Sequence, residues 1–236
     1  MKPQYKQRRQ TKKMKRQGVQ RLRVAAGLFV AFTLWTAAVR LIDVQPIGPN
    51  GSAVGFSAWN AAVHDWTGVH WPLYTITDWL GLVPMCFMLG FAVLGLVQWI
   101  QRKRIFAVDR DILALGGFYL VVASVFLLFE QVVINYRPVL IDGCLEASYP
   151  SSTTLLVLTV MPTAMMLLHD RIERPVLRRS VLIAIAVFTV FMLVGRFLSG
   201  VHWATDIVGG ILLSGSLVLA YDCFRVSEET DHSTES

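Results

Sequence analysis

The chain has 236 residues, of which 54% are hydrophobic and only 16% charged, with a mean hydropathy of +0.52. That composition excludes an intrinsically disordered chain, and 3 cysteines in this length exclude a disulfide scaffold. The net charge of +6 would suit a nucleic-acid partner, but its distribution excludes one: residues 1–23 hold 10 of the 22 Lys and Arg and no acid, leaving 12 basic against 16 acidic residues, a net −4, elsewhere.

The basic tail, residues 1–21, leads directly into a long apolar run. A helix crossing the hydrocarbon core needs about 20 apolar residues, and six stretches qualify, at about 22–43, 79–100, 112–134, 153–169, 180–200 and 205–224. The expected fold is all-α, a polytopic membrane bundle of about six transmembrane helices. The first run is too long and too far from the start for a signal peptide, and no small-residue cleavage site follows it. Orientation follows from the accumulation of Lys and Arg in cytoplasmic loops. Arg102, Lys103, Arg104 and Arg110 mark the link between the second and third stretches, and Arg171, Arg174, Arg178 and Arg179 the link between the fourth and fifth. The link 44–78 has no Lys or Arg. Both termini are therefore expected in the cytoplasm of a multi-pass cell-membrane protein, with 44–78, 135–152 and 200–205 outside.

Within the outer link, Gly48 to Gly51 give a turn signal. Phe56, Trp59, Val63 and Trp66 then fall on one helical face, the pattern of an amphipathic helix at headgroup depth. His64, Asp65 and His70 in this link, and Asp142 and Glu146 in the next, read as solvated loop residues, the alternative being that one of them serves as an acid at a nearby site. Residues 227–236 form an acidic tail expected to be disordered. The domain organisation expected is a basic cytoplasmic tail (1–21), one six-span membrane domain (22–226) and that acidic end.

Charged groups at the rim of a membrane span are costly and mark candidate sites. Three segments stand out, all on the expected outer side. Asn135 to Pro138 places Arg137 where Pro138 ends a helix. Tyr149 to Thr154 opens the fourth span with Ser and Thr, suited to a helix N-terminus whose free amides attract anions. Gly195 to Asp206 contains Arg196, His202 and Asp206. The last two are four residues apart, and on a helix they would share a face, letting the carboxylate orient the imidazole. Taken together, two arginines, a helix N-terminus and an oriented histidine can bind a phosphate and attack it.

In this order the segments resemble the type 2 phosphatidic acid phosphatase superfamily of membrane lipid phosphatases. Its pattern is Lys, six residues, Arg-Pro; then Pro-Ser-Gly-His; then Ser-Arg, five residues, His, three residues, Asp. Arg196, His202 and Asp206 match the third part, with Gly195 in place of Ser; Arg137-Pro138 matches the first and Pro150-Ser151 the second. The resemblance covers roughly residues 79–224. It implies His202 as a nucleophile forming a phosphohistidine and Asp206 as its orienting partner. It further implies that Arg137, Ser151, Ser152, Thr153 and Arg196 hold the phosphate of a lipid substrate, with no metal or cofactor. The substrate implied is a phospholipid or a polyprenyl phosphate or pyrophosphate. Two positions depart: Glu130 stands for the family's Lys, and Ser152-Thr153 for Gly-His. The second change removes a general acid, because a Thr hydroxyl does not titrate near neutral pH. The alternative expectation is a catalytically weakened or silent relative that binds or moves a phosphorylated lipid.

Overall fold

The computed structural model describes residues 2–235, and side chains over 16–225. The basic and acidic tails read from the sequence fall largely outside the described side chains. Eight α-helices follow one another, α1 (Lys2–Leu41), α2 (Ser57–Thr67), α3 (Trp71–Leu80), α4 (Leu82–Arg102), α5 (Arg110–Gln131), α6 (Ser152–Arg171), α7 (Pro175–Leu198) and α8 (Ala204–Glu235). No strand forms among the described residues, only isolated bridges such as Gln45–Val54 and Tyr136–Ala147. A chain this apolar must satisfy its peptide groups within each segment, and helices do so without water.

Among the described residues, six segments are long and apolar enough to span a membrane: 16–41, 71–102, 110–131, 152–171, 175–198 and 204–225. Five agree with the expected stretches to within a few residues at most boundaries. The second differs, because α3 extends it back to Trp71, inside the expected outer link. Asp78, the last residue of that expected link, thus falls inside the helical segment, and its carboxylate lies at the bundle surface, where it pairs with Arg196 at 3.6 Å. Gly81 joins α3 to α4.

α6 and α8 are the most enclosed spans. Val157, Val160, Met161 and Leu167 of α6 pack with Leu115, Phe118 and Val122 of α5, Met192 of α7 and Tyr221 of α8. A second cluster joins Phe32 and Val39 of α1 to Tyr149, Leu155 and Leu213. Large apolar side chains such as Leu89, Leu120, Val187 and Val190 face outward, where lipid would cover them. Trp66, Trp71 and Trp79 are exposed near one end of the bundle, the position of an aromatic belt.

The two ends differ in chemistry. At one, Arg171 bonds Asp109 and Asp111, Arg102 bonds Asp109, Arg225 bonds Asp170 and Arg21 bonds Asp222. Hydrogen bonds from Arg102, Gln98 and Arg171 hold the Asp109 carboxyl below its usual pKa. At the other end the link between α1 and α3 folds back over the bundle. Asp43, just after α1, accepts the Ala58 N–H at 2.8 Å and so caps α2, which lowers its own pKa. The face α2 turns inward is polar, with Ser57 and Asn60 buried, whereas Trp59 is partly exposed and Trp66 is 75% exposed. The link also docks on the α7–α8 turn: His70 N–H donates to Ser199 O at 3.0 Å. Gly200, at φ +70°, approaches so closely that a Cβ would lie 1.8 Å from the Gly68 carbonyl oxygen.

Candidate active site

α7 ends at Leu198 and α8 begins at Ala204, so His202 lies in the turn between them rather than on a helix. This corrects the expectation that His202 and Asp206 share a helical face. The helix starts late because Asp206, in its first turn, reaches back to accept the Trp203 N–H at 3.0 Å, the acidic half of a capping box. His202 Nδ1 nevertheless faces Asp206 Oδ2 at 3.8 Å, with both side chains buried.

The opposite ring nitrogen, Nε2, lies 3.2 Å from Arg137 Nη1. Arginine only donates, so Nε2 is the acceptor and the ring proton sits on Nδ1, on the Asp206 side. Burial, and then the charges of Arg137 and Arg196, hold the imidazole well below its ordinary pKa, against an opposing interaction with the Ser148 backbone. His202 is therefore a neutral base with its lone pair turned toward a guanidinium.

Arg137 follows α5 in the 132–151 link, where the Tyr136–Ala147 bridge fixes its backbone and its N–H donates to Glu146 O at 3.0 Å. Its Nε also meets the Glu146 carboxylate at 3.0 Å, so Glu146 is part of the site rather than a solvated loop residue. Glu130, Arg137 and Glu146 line an open hollow of about 620 Å³. Arg196, near the end of α7, is 1% exposed. It lies 5.0 Å from the centroid of the Tyr74 ring and pairs with Asp78, both on α3, and its buried Nε and Nη1 have no hydrogen-bond partner. α3 approaches α7 this closely because residue 195 is glycine: a Cβ there would meet Thr77 Cγ2 at 2.9 Å.

Ser151 N-caps α6; its N–H donates to the Asp206 carbonyl at 3.2 Å and its Oγ accepts from Thr154 Oγ1 at 3.0 Å. The first turn of α6 is thus tied to the first turn of α8. Ser152 and Thr153 begin the helix and face a different space, an apolar cavity of about 350 Å³ shared with Asp78, Met85, Val122 and Phe126. Arg137, His202 and Asp206 are in direct succession, Arg196 is within electrostatic reach, and Ser152 and Thr153 mark the boundary between this polar cluster and an apolar groove. Among the described residues no three His, Cys, Asp or Glu side chains form a metal-binding group.

Several partners had no signal in the sequence. Asn135 Nδ2 donates to Asp206 Oδ1 at 3.3 Å, and Ser148 donates through N–H and Oγ to Asn135 O at 2.9 and 3.2 Å. Trp203 Nε1 bonds Tyr136 O at 2.8 Å, joining the two site-bearing links. His64 is half-buried, its ring 5.4 Å from that of Trp203, and burial lowers its pKa. His70 is exposed, with Nε2 at 2.8 Å from Thr67 O.

The fold and site define a multi-pass helical membrane protein with a histidine, two arginines and a helix N-terminus gathered at one end of the bundle. The family model of the PAP2 superfamily matches residues 81–227, more than half of the chain, and the protein belongs to that superfamily. The fold is similar to that of a transmembrane PAP2 type phosphatidylglycerolphosphate phosphatase from Bacillus subtilis, with a TM-score of 0.55 and 20% identity, covering 87% of this chain and 96% of that one. The sequence matches no curated protein. Membership of the superfamily supports a lipid phosphatase-like function.

Proposed function

We propose that the protein removes phosphate from a phosphorylated lipid at the outer face of the cell membrane, with His202 as nucleophile. The observation that carries this reading is the buried Arg137–His202–Asp206 succession, in which the bare Nε2 faces the guanidinium. A phosphate arriving there draws Arg137 onto its oxygens and frees the Nε2 lone pair. Nε2 forms a bond to phosphorus as the bond to the leaving oxygen breaks, and that oxygen departs with the electron pair. Asp206 stabilises the charge that develops on the ring. Water then attacks the phosphohistidine, releasing inorganic phosphate and restoring the imidazole. Arg196 and the first-turn amides of α6, at Ser152 and Thr153 beside Ser151, hold the remaining oxygens.

Thr153 supplies no proton to the leaving oxygen. An alkoxide leaving a phosphate monoester is strongly basic and needs one, whereas a phosphate leaving a lipid diphosphate has a second pKa of about 6 and leaves unaided. We therefore favour a diphosphate lipid, such as a polyprenyl pyrophosphate, over a monoester such as phosphatidic acid. The outward orientation rests on the Lys and Arg distribution between the two ends, and the domain organisation on one membrane domain, 22–226, between polar tails 1–21 and 227–236.

The alternative, a silent relative that binds or moves a phospholipid, is favoured by Glu130 and Thr153 at positions where the family has Lys and His. Purified protein in detergent, given labelled polyprenyl pyrophosphate, distinguishes the two. Phosphate trapped on the protein and lost in His202→Ala supports catalysis, and binding without release supports the silent reading. Equal or reversed rates on phosphatidic acid would defeat the diphosphate preference.

A further inference from the structure

Resting on the phosphatase reading above, we infer that Asn60 and Thr205 are positioning residues for Asp206, so that the outer link α2 helps to orient the nucleophile. Asn60, Thr205 and Asp206 are each 0% exposed. Asn60 Oδ1 accepts the Thr205 N–H at 3.2 Å, while Asn60 Nδ2 donates to Gly55 O at 2.8 Å and to Thr205 Oγ1 at 3.0 Å. The oxygen meets a backbone donor and the nitrogen a backbone acceptor, so the amide has one orientation. The carbonyl of Thr205 is held as well, by Trp35 Nε1 at 3.1 Å. Thr205 thus has its N–H, carbonyl and hydroxyl fastened from α1 and α2.

The hydroxyl carries the connection to the site. Oγ1 receives Asn60 Nδ2 and also Asn135 Nδ2, at 3.4 Å. A hydroxyl has two acceptor lone pairs and one proton, and two amide donors occupy both lone pairs. Its proton is left for Asp206 Oδ1, at 3.5 Å. Oδ1 then has Thr205 and Asn135 as donors, while Oδ2 has the Trp203 N–H and faces His202 Nδ1. The charged and titratable groups facing this carboxylate are His202 and Arg137, with the Tyr149 phenol and the Ser148 hydroxyl beside them. Filling Oδ1 from behind leaves Oδ2 as the face presented to the imidazole. Hydrogen bonds to a carboxylate favour its charged form, the form that holds a proton on Nδ1 and leaves Nε2 bare. Asn60 precedes the 81–227 segment that matches the superfamily, so this support comes from the part of the chain outside that match.

The test uses full-length protein in detergent with a polyprenyl pyrophosphate and reads kcat, KM and the pH–rate profile. Thr205→Val removes the hydroxyl at nearly constant volume, and Asn60→Ala removes the amide that sets its direction. Each is expected to lower kcat about tenfold with KM unchanged, and to move upward the acid limb set by protonation of Asp206, as distinct from that of His202. The double variant is expected to fall no further than the weaker single one, and Thr205→Ser to stay within about twofold of wild type. A Thr205→Val protein with wild-type kcat and pH profile overturns the inference while leaving the phosphatase reading intact. The same holds if Thr205→Ser is as impaired as Thr205→Val. Wild-type protein that releases no more phosphate than His202→Ala overturns the phosphatase reading itself.

Discussion

His202 sits where burial and two guanidinium groups oppose its protonation, so its neutral form persists to more acid pH than for a free histidine. The acid limb of kcat/KM due to this group should therefore lie below the ordinary value of 6.5, and a profile falling at that value would contradict the geometry. The same shift bears on stability. The unfolded chain takes up a proton near 6.5 and the folded chain only well below it, so the contribution is complete above 6.5 and diminishes as pH falls through the window beneath it. Unfolding midpoints of wild type and His202→Gln should converge toward the acid end of that window. Thr153 permits a gain-of-function test, since it stands at the boundary between the polar cluster and the cavity of about 350 Å³, which leaves an imidazole there room to turn toward the cluster. Thr153→His should raise turnover of phosphatidic acid relative to a polyprenyl pyrophosphate by at least about tenfold, because a general acid helps the poorer leaving group more. An unchanged ratio would show that leaving-group protonation does not limit the reaction.

Between elements, glycines decide how closely the outer link and α3 approach the site. Gly195 stands where the family has Ser, and the reason is visible in the packing, since Thr77 Cγ2 lies 2.9 Å from where a Cβ would be. Gly195→Ser should lower stability by about 1–3 kcal/mol, and Thr77→Ala should recover part of that loss, a coupling that thermal unfolding of the two singles and the double would measure. A Gly195→Ser protein as stable as wild type would show that α3 moves aside without cost. Long apolar runs made the six spans legible in the sequence. The helical start at Trp71 was not, because the long apolar run begins only after Asp78, whose pairing with Arg196 is a contact across the fold. The turn at His202 was also hidden, since the spacing to Asp206 suggested a helix, and only Gly200 at φ +70° and the Asp206–Trp203 cap show that α8 starts after it. Motif spacing found Arg137, Arg196, His202 and Asp206. It gave no reason to pair Glu146 with Arg137, Asn135 with Asp206 or Asn60 with Thr205, because these are partnerships across the fold, 145 residues apart in the case of Asn60 and Thr205.

The whole molecule places its chemistry at one end and most of its basic links at the other, which makes orientation a property that can be measured on native cysteines. Cys144 is exposed in the 132–151 link, beside the Ile141–Cys144 bridge and at the end that holds His202. Lys103 closes α4 at the opposite end, among Arg102, Asp109 and Arg171. The positive-inside rule predicts Lys103 on the cytoplasmic side, since moving Arg102, Lys103, Arg104 and Arg110 across a membrane would be costly. In intact cells a membrane-impermeant maleimide should label Cys144, and Cys144→Ser should remove that signal. In a background lacking the native thiols, Lys103→Cys should label only after permeabilisation. The reverse pattern would put the site in the cytoplasm and its substrate in the inner leaflet, while leaving the chemistry of Arg137, His202 and Asp206 unchanged. Orientation and mechanism are thus separable, and labelling of Cys144 determines which leaflet supplies the lipid.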